Sequence, residues 1–521
     1  MKNTLQKSMR WKIMSYSLIG FFVIISGIFT SPINHYVTSL SLILFAVAAY
    51  FFIVLGIAGK NWMDVRAVFT GVWFATLGLA SLRLAEYQEQ WQNKTWLLSG
   101  LGYFMFQVGT NLGIYYVSAW FQKVAEKLSN IKRGRIRLSL QKNRLYSVCV
   151  ITTLVGLTCF VINVLIRGYI PCFSDDVKAY NNFYTKFHLF AVAATSVSGL
   201  CYYCIKCEPI GIVKKLILWL CIFYLVFLFP TMVVSRGVFV VAAVSLTVVV
   251  YYLNKKRLLV LIACVAMIFG VYQLTSELRN YADWQLNTFF EPKEIVLDNP
   301  KQEDPDAVDS TLEGENSQEQ KDPDEIIDGQ DQTDLDAVDP TLQSKNPQEQ
   351  STDEGNEAKA TFKLSPKLSF LYGYLTVSHD NFNEAVKNAK EYTWGLRQLA
   401  PFNVILRQKW LDTALEEAEY YQVNPYLNTT NMLGVFYYDF REIGVAVCML
   451  LWAIVFGVMQ SFYENRKGPF SLLVMGNGMI PVALCFFSTW VNKFELWMFW
   501  GCALIFALVS CVVIEPRKQK D

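Results

Sequence analysis

The sequence predicts an all-α polytopic membrane protein of about twelve transmembrane helices, with one large loop on the outer side of the membrane. Hydrophobic residues make up 53% of the 521 residues, and the mean hydropathy is +0.28, which is unusual for a soluble domain. The apolar residues form separate segments of about 20 residues, the length that a helix needs to cross ~30 Å of hydrocarbon. A water-facing stretch, residues 276–440, separates the ninth segment from the tenth.

The apolar segments divide the chain into three parts. Residues 1–275 form a membrane domain of about nine spans, 276–440 form the extracytoplasmic loop, and 441–521 form a membrane domain of about three spans. The predicted spans, in chain order, are 13–31, 36–58, 68–85, 97–120, 146–166, 187–205, 216–234, 238–253, 258–275, 442–462, 470–489 and 496–514.

The distribution of positive charge predicts the orientation. Loops and termini on one side of the predicted spans carry 25 lysines and arginines. The short loops on the other side carry seven, which are Arg83, Lys94, Arg167, Lys178, Lys186, Arg236 and Lys493. Positive charge collects on the cytoplasmic side, so both termini are predicted to be cytoplasmic and the large loop to be outside.

The large loop changes composition along its length. Residues 291–360 are acidic and nearly free of aromatic residues, with an imperfect repeat beginning at Asp306 and again at Asp336. Such a segment buries too little apolar surface to offset chain entropy, so we predict a disordered acidic insert. Residues 363–440 are aromatic and mixed, and the apolar spacing from Leu411 to Ala418 is typical of a short helix. This part is predicted to be ordered.

Common cofactor and hydrolase motifs are missing from the sequence. It contains no phosphate-binding Gly-rich loop, no GxSxG and no HExxH. The cysteines of CYYCIKC, 201–207, have metal-like spacing but stand at a span end with no further Cys or His in that segment, so zinc is not predicted. Most cysteines fall in or beside spans, which argues against a disulfide framework. We therefore predict no cofactor and no metal.

Charged and aromatic residues at the outer span ends are the candidates for chemistry. His379 and Asp380 are adjacent in the ordered part of the loop, and Asp175 and Asp176 follow the fifth span. Five arginines are predicted on the outer side: Arg167, Arg236, Arg279, Arg397 and Arg441. Each could instead lie along the membrane surface with its charge in water. Together, planar guanidinium groups suit a multiply charged anion such as a diphosphate.

Four segments of the sequence resemble the bacterial oligosaccharide repeat-unit polymerases, the Wzy-type O-antigen and capsule polymerases. These are RGYIPCFSDD at 167–176, SRG at 235–237, YLTVSHDNFNEAV with YTWGLRQLAPFN within 374–403, and NTTNMLGVFYYDFREIGV at 428–445. The resemblance covers roughly residues 140–465 without the insert at 291–360, which departs from the usual pattern. The large outer loop and the three closing spans are also similar to that family.

The resemblance implies a membrane glycosyltransferase in the bacterial cytoplasmic membrane, with its active site on the extracytoplasmic side. Its substrates would be undecaprenyl-diphosphate-linked oligosaccharides held among membrane lipid, with a chain-length regulator and a flippase as possible partners and no nucleic acid. The arginines would bind the substrate diphosphate without a metal. Asp175, Asp176, His379 and Asp380 would be the catalytic candidates. Sugar faces would stack on Tyr392, Trp394, Tyr437 and Tyr438, although such aromatics also form interfacial belts.

Two other classes of protein remain open on the sequence alone. A transporter or flippase of lipid-linked oligosaccharides would share the membrane fold and the substrate, but such proteins usually show internal repeats and mid-span charges. A membrane scaffold that uses the acidic insert to hold a partner would explain 291–360 but not the outer arginines.

Overall fold

The computed structural model describes residues 2–130, 136–138, 140–174, 183, 185–280, 366–406, 408–416, 418, 420–423 and 429–514. The acidic insert lies outside these residues, so the prediction of its disorder is untested. Asp175 and Asp176 also lie outside them.

Helices make up almost all of the described structure. They are α1 Lys2–Ile33, α2 His35–Gly56, α3 Val65–Ala80, α4 Asn93–Leu112, α5 Ser118–Asn130, α6 Lys142–Arg167, α7 Lys186–Ala194, α8 Ser198–Cys207, α9 Ile212–Phe223, α10 Phe229–Met232, α11 Arg236–Leu253, α12 Arg257–Asn280, α13 Pro366–Asn388, α14 Leu396–Leu406, α15 Lys409–Glu416, α16 Met432–Arg466, α17 Pro469–Ala483 and α18 Phe494–Cys511. A short antiparallel ribbon joins β1, Ile136–Leu138, to β2, Val512–Ile514.

Eight helical segments among the described residues are long and apolar enough to cross a membrane. They are Trp11–Ile33, His35–Gly56, Lys142–Arg167, Lys186–Cys207, Ile212–Met232, Arg236–Leu253, Met432–Arg466 and Phe494–Cys511. Shorter apolar helices occupy Val65–Ala80, Arg257–Met267 and Pro469–Ala483. The helical, polytopic fold is therefore confirmed, whereas the number of twelve spans remains a prediction.

The helices form two packed groups that meet through α11 and α17. One hydrophobic core joins α1 to α4 with α16, and another joins α6 to α9 with α11, α17 and α18. Glycines allow the close approach of α4 and α16: a Cβ added at Gly109 would collide with the carbonyl of Leu450, and one at Gly457 with the carbonyl of Thr110. Small residues at helix crossings are the usual device of membrane bundles.

A buried ion pair at the start of α3 is connected to α16 through Gln460. Arg66 Nη2 lies 2.7 Å from Asp64 Oδ2, and both side chains are almost fully buried. Gln460 of α16 donates to the same carboxylate oxygen at 2.8 Å and accepts the Val65 backbone N–H at 2.9 Å. Buried charges require this degree of pairing.

Helix α13 covers the opposite end of α3 and α16. Its Tyr372 hydroxyl accepts the backbone N–H of Leu84 at 3.1 Å, and Asn383 accepts the Thr95 hydroxyl at 2.7 Å. The carbonyl of Ser378 accepts the backbone N–H of Asn431, the N-cap of α16, at 3.2 Å. Most described residues of the aromatic segment after the insert are helical, and α13 covers these helix ends. The predicted short helix from Leu411 is confirmed as α15.

Candidate functional site

The covered end of the bundle contains a cavity of ≈ 520 Å³. Its described lining has two cationic side chains, Arg397 and Lys493, and no carboxylate or imidazole. The other lining residues are Ala400, Leu415, Tyr420, Gln422, Thr429, Thr430, Val435, Ser488, Thr489 and Asn492. Two cations among amides and hydroxyls suit a ligand that is both anionic and rich in hydrogen-bonding groups.

Three lining side chains have buried polar atoms that find no hydrogen-bond partner within the described part of the chain. These atoms are Gln422 Oε1, Thr430 Oγ1 and Asn492 Oδ1. Leaving such an atom unpaired costs roughly 1–3 kcal/mol, and native proteins rarely do so. Two of the three are amide carbonyl oxygens, which accept hydrogen bonds. The cavity is therefore equipped to receive hydroxyl donors next to its cations.

Arg397 stands in the first turn of α14 and is held by aromatic rings. Its guanidinium carbon lies 4.4 Å from the ring centroid of Tyr438 and 5.2 Å from that of Tyr420. Its Nη2 donates to the carbonyl of Ala418 at 3.0 Å. Stacking on two rings holds the guanidinium group at the wall of the cavity, whose described lining contains no carboxylate.

A break in α16 brings the residues around Arg397 together. Phe440 and Arg441 leave helical geometry, and Arg441 has φ 54° and ψ −137°. A positive φ at a residue other than glycine is strained by roughly 1–3 kcal/mol. The break lets the carbonyls of Tyr438 and Asp439 accept the backbone N–H groups of Thr393 and Trp394 at 3.0 and 3.2 Å.

Arg441 contacts Tyr437, the residue before the Tyr438 that contacts Arg397. Its guanidinium carbon is 5.1 Å from the Tyr437 ring and 5.3 Å from the Tyr392 ring, and Nη2 donates to the carbonyl of Glu391 at 3.0 Å. Arg441 is only 6% exposed and does not belong to the described cavity lining. Arg397 and Arg441 therefore lie in different environments.

Arg236 is connected to the edge of the cavity through two aromatic rings. The Ser235 side chain caps α11 by accepting the Val238 N–H, so Arg236 opens that helix. Its guanidinium carbon lies 5.7 Å from the Tyr374 ring, which stacks at 5.7 Å on Phe487, the residue before the lining Ser488. The turn into Ser235 passes through Val234 at φ 54°, a costly conformation for a β-branched residue.

His379 and Asp380 are buried in a polar network and do not line the cavity. His379 contacts Thr76 Oγ1 through Nε2 and Asn431 Nδ2 through Nδ1, both at 3.0 Å. Burial lowers the pKa of His379 to about 3, so its imidazole is neutral at pH 7. Asp380 accepts the Gln88 amide and the Trp91 indole N–H, each at 2.8 Å.

The pKa of Asp380 is raised to about 7 because burial penalises its charged form more than these hydrogen bonds favour it. Both of its oxygens accept hydrogen bonds from neighbouring side chains, so the network holds α13 onto the loop after α3. In this structure Asp380 serves to join two parts of the chain.

The remaining predicted residues are scattered. Arg167 is exposed in the last turn of α6. Arg279 falls in α12, with its side chain outside the described part. Of the predicted sugar-stacking residues, Tyr392 and Trp394 are 45% and 72% exposed and stack at 5.0 Å. Tyr437 and Tyr438 are buried. The Tyr437 ring packs against the guanidinium group of Arg441, and the Tyr438 ring packs against that of Arg397.

Sequence reasoning missed most of the cavity lining. Lys493 was counted as one of seven outer cations but not placed in the site, and Gln422, Thr430 and Asn492 carried no signal of their own. The available clue for Lys493 was its position in a short loop between two apolar segments, next to Asn492. Hydroxyl and amide residues are too common at helix ends for their presence alone to indicate a binding site.

The chain matches no family model, and no curated protein and no solved structure is similar to it. The function must therefore be argued from the residues themselves.

Proposed function

We propose that the protein polymerises undecaprenyl-diphosphate-linked oligosaccharide repeat units into a surface polysaccharide, either O-antigen or capsule, at the outer face of the bacterial cytoplasmic membrane. The observation that carries the proposal is the cavity in which Arg397 and Lys493 stand among unpaired amide and hydroxyl oxygens. Cations suit the diphosphate, and the oxygens of Gln422, Thr430 and Asn492 suit sugar hydroxyls. The four sequence segments that resemble repeat-unit polymerases support the same substrate class.

In the proposed reaction negative charge develops on the leaving diphosphate, and the cavity contains two cations that can stabilise it. The bond between the anomeric carbon of the growing glycan and the diphosphate oxygen breaks, and a hydroxyl oxygen of the next repeat unit forms a new bond to that carbon. The lipid diphosphate leaves with an additional negative charge, which Arg397 and Lys493 would stabilise. The hydroxyl proton passes to a base, for which Asp175 and Asp176 remain the sequence-based candidates.

The neighbouring residues have supporting roles in this proposal. The exposed stack of Tyr392 and Trp394 offers an aromatic surface for a sugar ring. Arg236, with Tyr374 between it and the cavity, adds positive potential from the α11 end. Arg441 lies in the wall behind Tyr437. Tyr437 and Tyr438 act by holding arginines, since their rings are buried.

Lipid-linked glycans in a strain that lacks the protein test the proposal. We expect single repeat units on their lipid carrier to accumulate in the outer leaflet, and longer lipid-linked chains to disappear, as measured by mass analysis. Arg397→Ala should restore the protein level without restoring polymer. Lys409→Gln, which changes an exposed cation on α15, is the matched control and should restore both.

The same experiment distinguishes a polymerase from a transporter or a scaffold. Repeat units that accumulate only in the inner leaflet, where reagents added to intact cells do not reach them, would indicate a flippase. Normal chain lengths in the deletion strain would remove the protein from polymerisation altogether.

A further inference from the structure

The carboxylate of Asp439 is buried at the point where α16 breaks. Its side chain is fully buried, although an ionised carboxylate away from water is costly unless several donors surround it. The sequence gives it no obvious role, because it lies between aromatic residues in FYYDFR, 436–441. Its hydrogen bonds show what it does.

Asp439 caps a helix that belongs to another part of the chain. Its Oδ1 accepts the Thr393 hydroxyl at 2.5 Å and the Arg397 backbone N–H at 3.2 Å. Its Oδ2 accepts the Gln398 backbone N–H at 3.2 Å. These N–H groups belong to the first turn of α14, where N–H groups often need partners from outside the helix. The Gln398 N–H is shared with the carbonyl of Gly395, at 3.1 Å. A negative charge there is also favoured by the helix dipole.

The cap fixes the start of α14 in a chain that turns sharply just before it. Trp394 and Gly395 both have positive φ, 48° and 88°, so the turn into the helix is not set by ordinary backbone preferences. The backbone of Thr393 and Trp394 is bonded to the same two residues of α16 that carry the carboxylate and the Tyr438 ring. One short segment of α16 thus supplies both the cap of α14 and the ring under Arg397.

We propose that Asp439 is a positioning residue, which holds Arg397 over the Tyr438 ring and in the cavity wall. This inference rests on the proposed function, in which Arg397 binds the substrate diphosphate. Asp439 does not line the described cavity, so it acts through Arg397. An asparagine at this position replaces one carboxylate oxygen by an NH2 group, which as a donor cannot accept the Gln398 N–H. The first turn of α14 then loses its charge-assisted cap.

Binding of geranylgeranyl diphosphate to the purified protein in detergent tests the role. Wild type should bind, and Arg397→Ala should weaken binding about 10-fold, the effect of one charge-assisted hydrogen bond. Asp439→Asn should weaken it about 5- to 10-fold. The double variant should bind no more weakly than Arg397→Ala alone, because both changes remove the same interaction. Glu442→Gln, on the same stretch of α16 but half-exposed, should bind like wild type.

Hydrogen exchange of the peptide 392–400 provides a second readout that needs no ligand. Asp439→Asn should increase the exchange of the Arg397 and Gln398 amides, with no change in Glu442→Gln. Thr393→Val removes one hydrogen bond to the same carboxylate, and it replaces Asp439→Asn in both measurements if that variant does not accumulate.

Different failures point to different errors. Wild type that does not bind the diphosphate, or Arg397→Ala that binds like wild type, would overturn the proposed function, while hydrogen exchange would still decide whether Asp439 holds the start of α14. Wild-type affinity in Asp439→Asn, multiplicative effects in the double variant, or unchanged exchange would each overturn the positioning role.

Discussion

Aromatic rings contact two arginines at the covered end of the bundle. Arg397 lies 4.4 Å from the Tyr438 ring, and Arg441 lies 5.1 Å from the Tyr437 ring. A guanidinium group is planar and weakly hydrated and stacks flat on a ring, whereas an ammonium group does so less well. Lysine is therefore not a conservative replacement at these positions.

We expect Arg236→Lys to abolish polymer nearly as completely as Arg236→Ala, with normal protein levels in the membrane. Arg236 opens α11 and contacts the Tyr374 ring, an arrangement that uses the planar group as well as the charge. Polymer length on gels and protein level by immunoblot are the measurements. Wild-type polymer in the Lys variant would mean that charge alone is needed, and wild-type polymer in the Ala variant would remove Arg236 from the site.

Asp380 should make the stability of the protein depend on pH. Its pKa is about 7 in the folded protein and about 3.9 in an unfolded chain. Between these values the folded protein holds a proton that the unfolded chain has released. The free energy of unfolding should therefore fall as pH rises from about 4 to about 7, by up to about 1.4 kcal/mol per pH unit, and this contribution should be constant above pH 7.

Thermal unfolding in detergent at pH 5 and pH 8 measures the effect. The melting temperature of wild type should be higher at pH 5 than at pH 8. In Asp380→Asn this difference should be smaller, because the amide has no proton to lose. Glu89→Gln, which changes an exposed carboxylate in the loop after α3, should show the same difference in melting temperature as wild type. Equal pH dependence in wild type and Asp380→Asn would assign the effect to other groups.

The residues of the candidate site were predictable only where their chemistry is rare in its surroundings. Arg397 stands out from the sequence because arginine on the outer side is uncommon. Thr430 and Asn492 do not, because such residues end many helices. Asp439 was overlooked because its meaning depends on α14, whose first turn lies over 40 residues earlier in the chain. A contact between distant segments leaves no local pattern.

At the scale of elements, close backbone approach governs how α4 meets α16. Gly109 and Gly113 stand four residues apart on one face, and added Cβ atoms would collide with the carbonyls of Leu450 and Ile454. Without apolar driving force between helices in lipid, such contacts carry much of the association. The crossing also fixes α4 against α16, the helix that carries Asp439.

We expect Gly109→Leu to destabilise the protein strongly, by several kcal/mol, because its side chain would separate two helices over their whole contact. Gly501→Leu in α18 is the control, since no atom lies within 4 Å of a Cβ added there. Melting temperature in detergent and protein yield are the measurements. Similar losses in both variants would show that helix propensity or hydrophobicity, and not the crossing, determines the effect.

Hydropathy predicted the long apolar helices but not the events at their ends. Each predicted span overlaps a helix, because a run of apolar residues of this length has few other stable forms in lipid. The break at Phe440 and Arg441 was not predictable, since it accompanies hydrogen bonds to Thr393 and Trp394, which are distant in the sequence. Likewise α13 begins at Pro366 with a mixed composition, and its position follows from side-chain contacts to the loop after α3.

At the scale of the whole molecule, the side of the membrane on which the cavity lies is the main prediction still to be tested. The uneven distribution of cations predicts that residues 276–440 are outside. A cysteine introduced at position 320, in a variant without other reactive cysteines, should react with a membrane-impermeant maleimide in intact spheroplasts. A cysteine introduced at position 467, after α16, should react only after lysis. The reverse pattern would overturn the outer-face mechanism.

The lining of the cavity also has a consequence for biogenesis. Every described lining residue lies between Arg397 and Lys493, so the ribosome has made three quarters of the chain before the first of them emerges. If α4 crosses the bilayer, as the sequence predicts for residues 97–120, its Gly109 has no α16 to pack against until that helix is synthesised and inserted. A nascent chain stalled before α16 should therefore expose a small-residue groove to the insertion machinery, and cross-linking from α4 should shift from that machinery to α16 once translation passes residue 466.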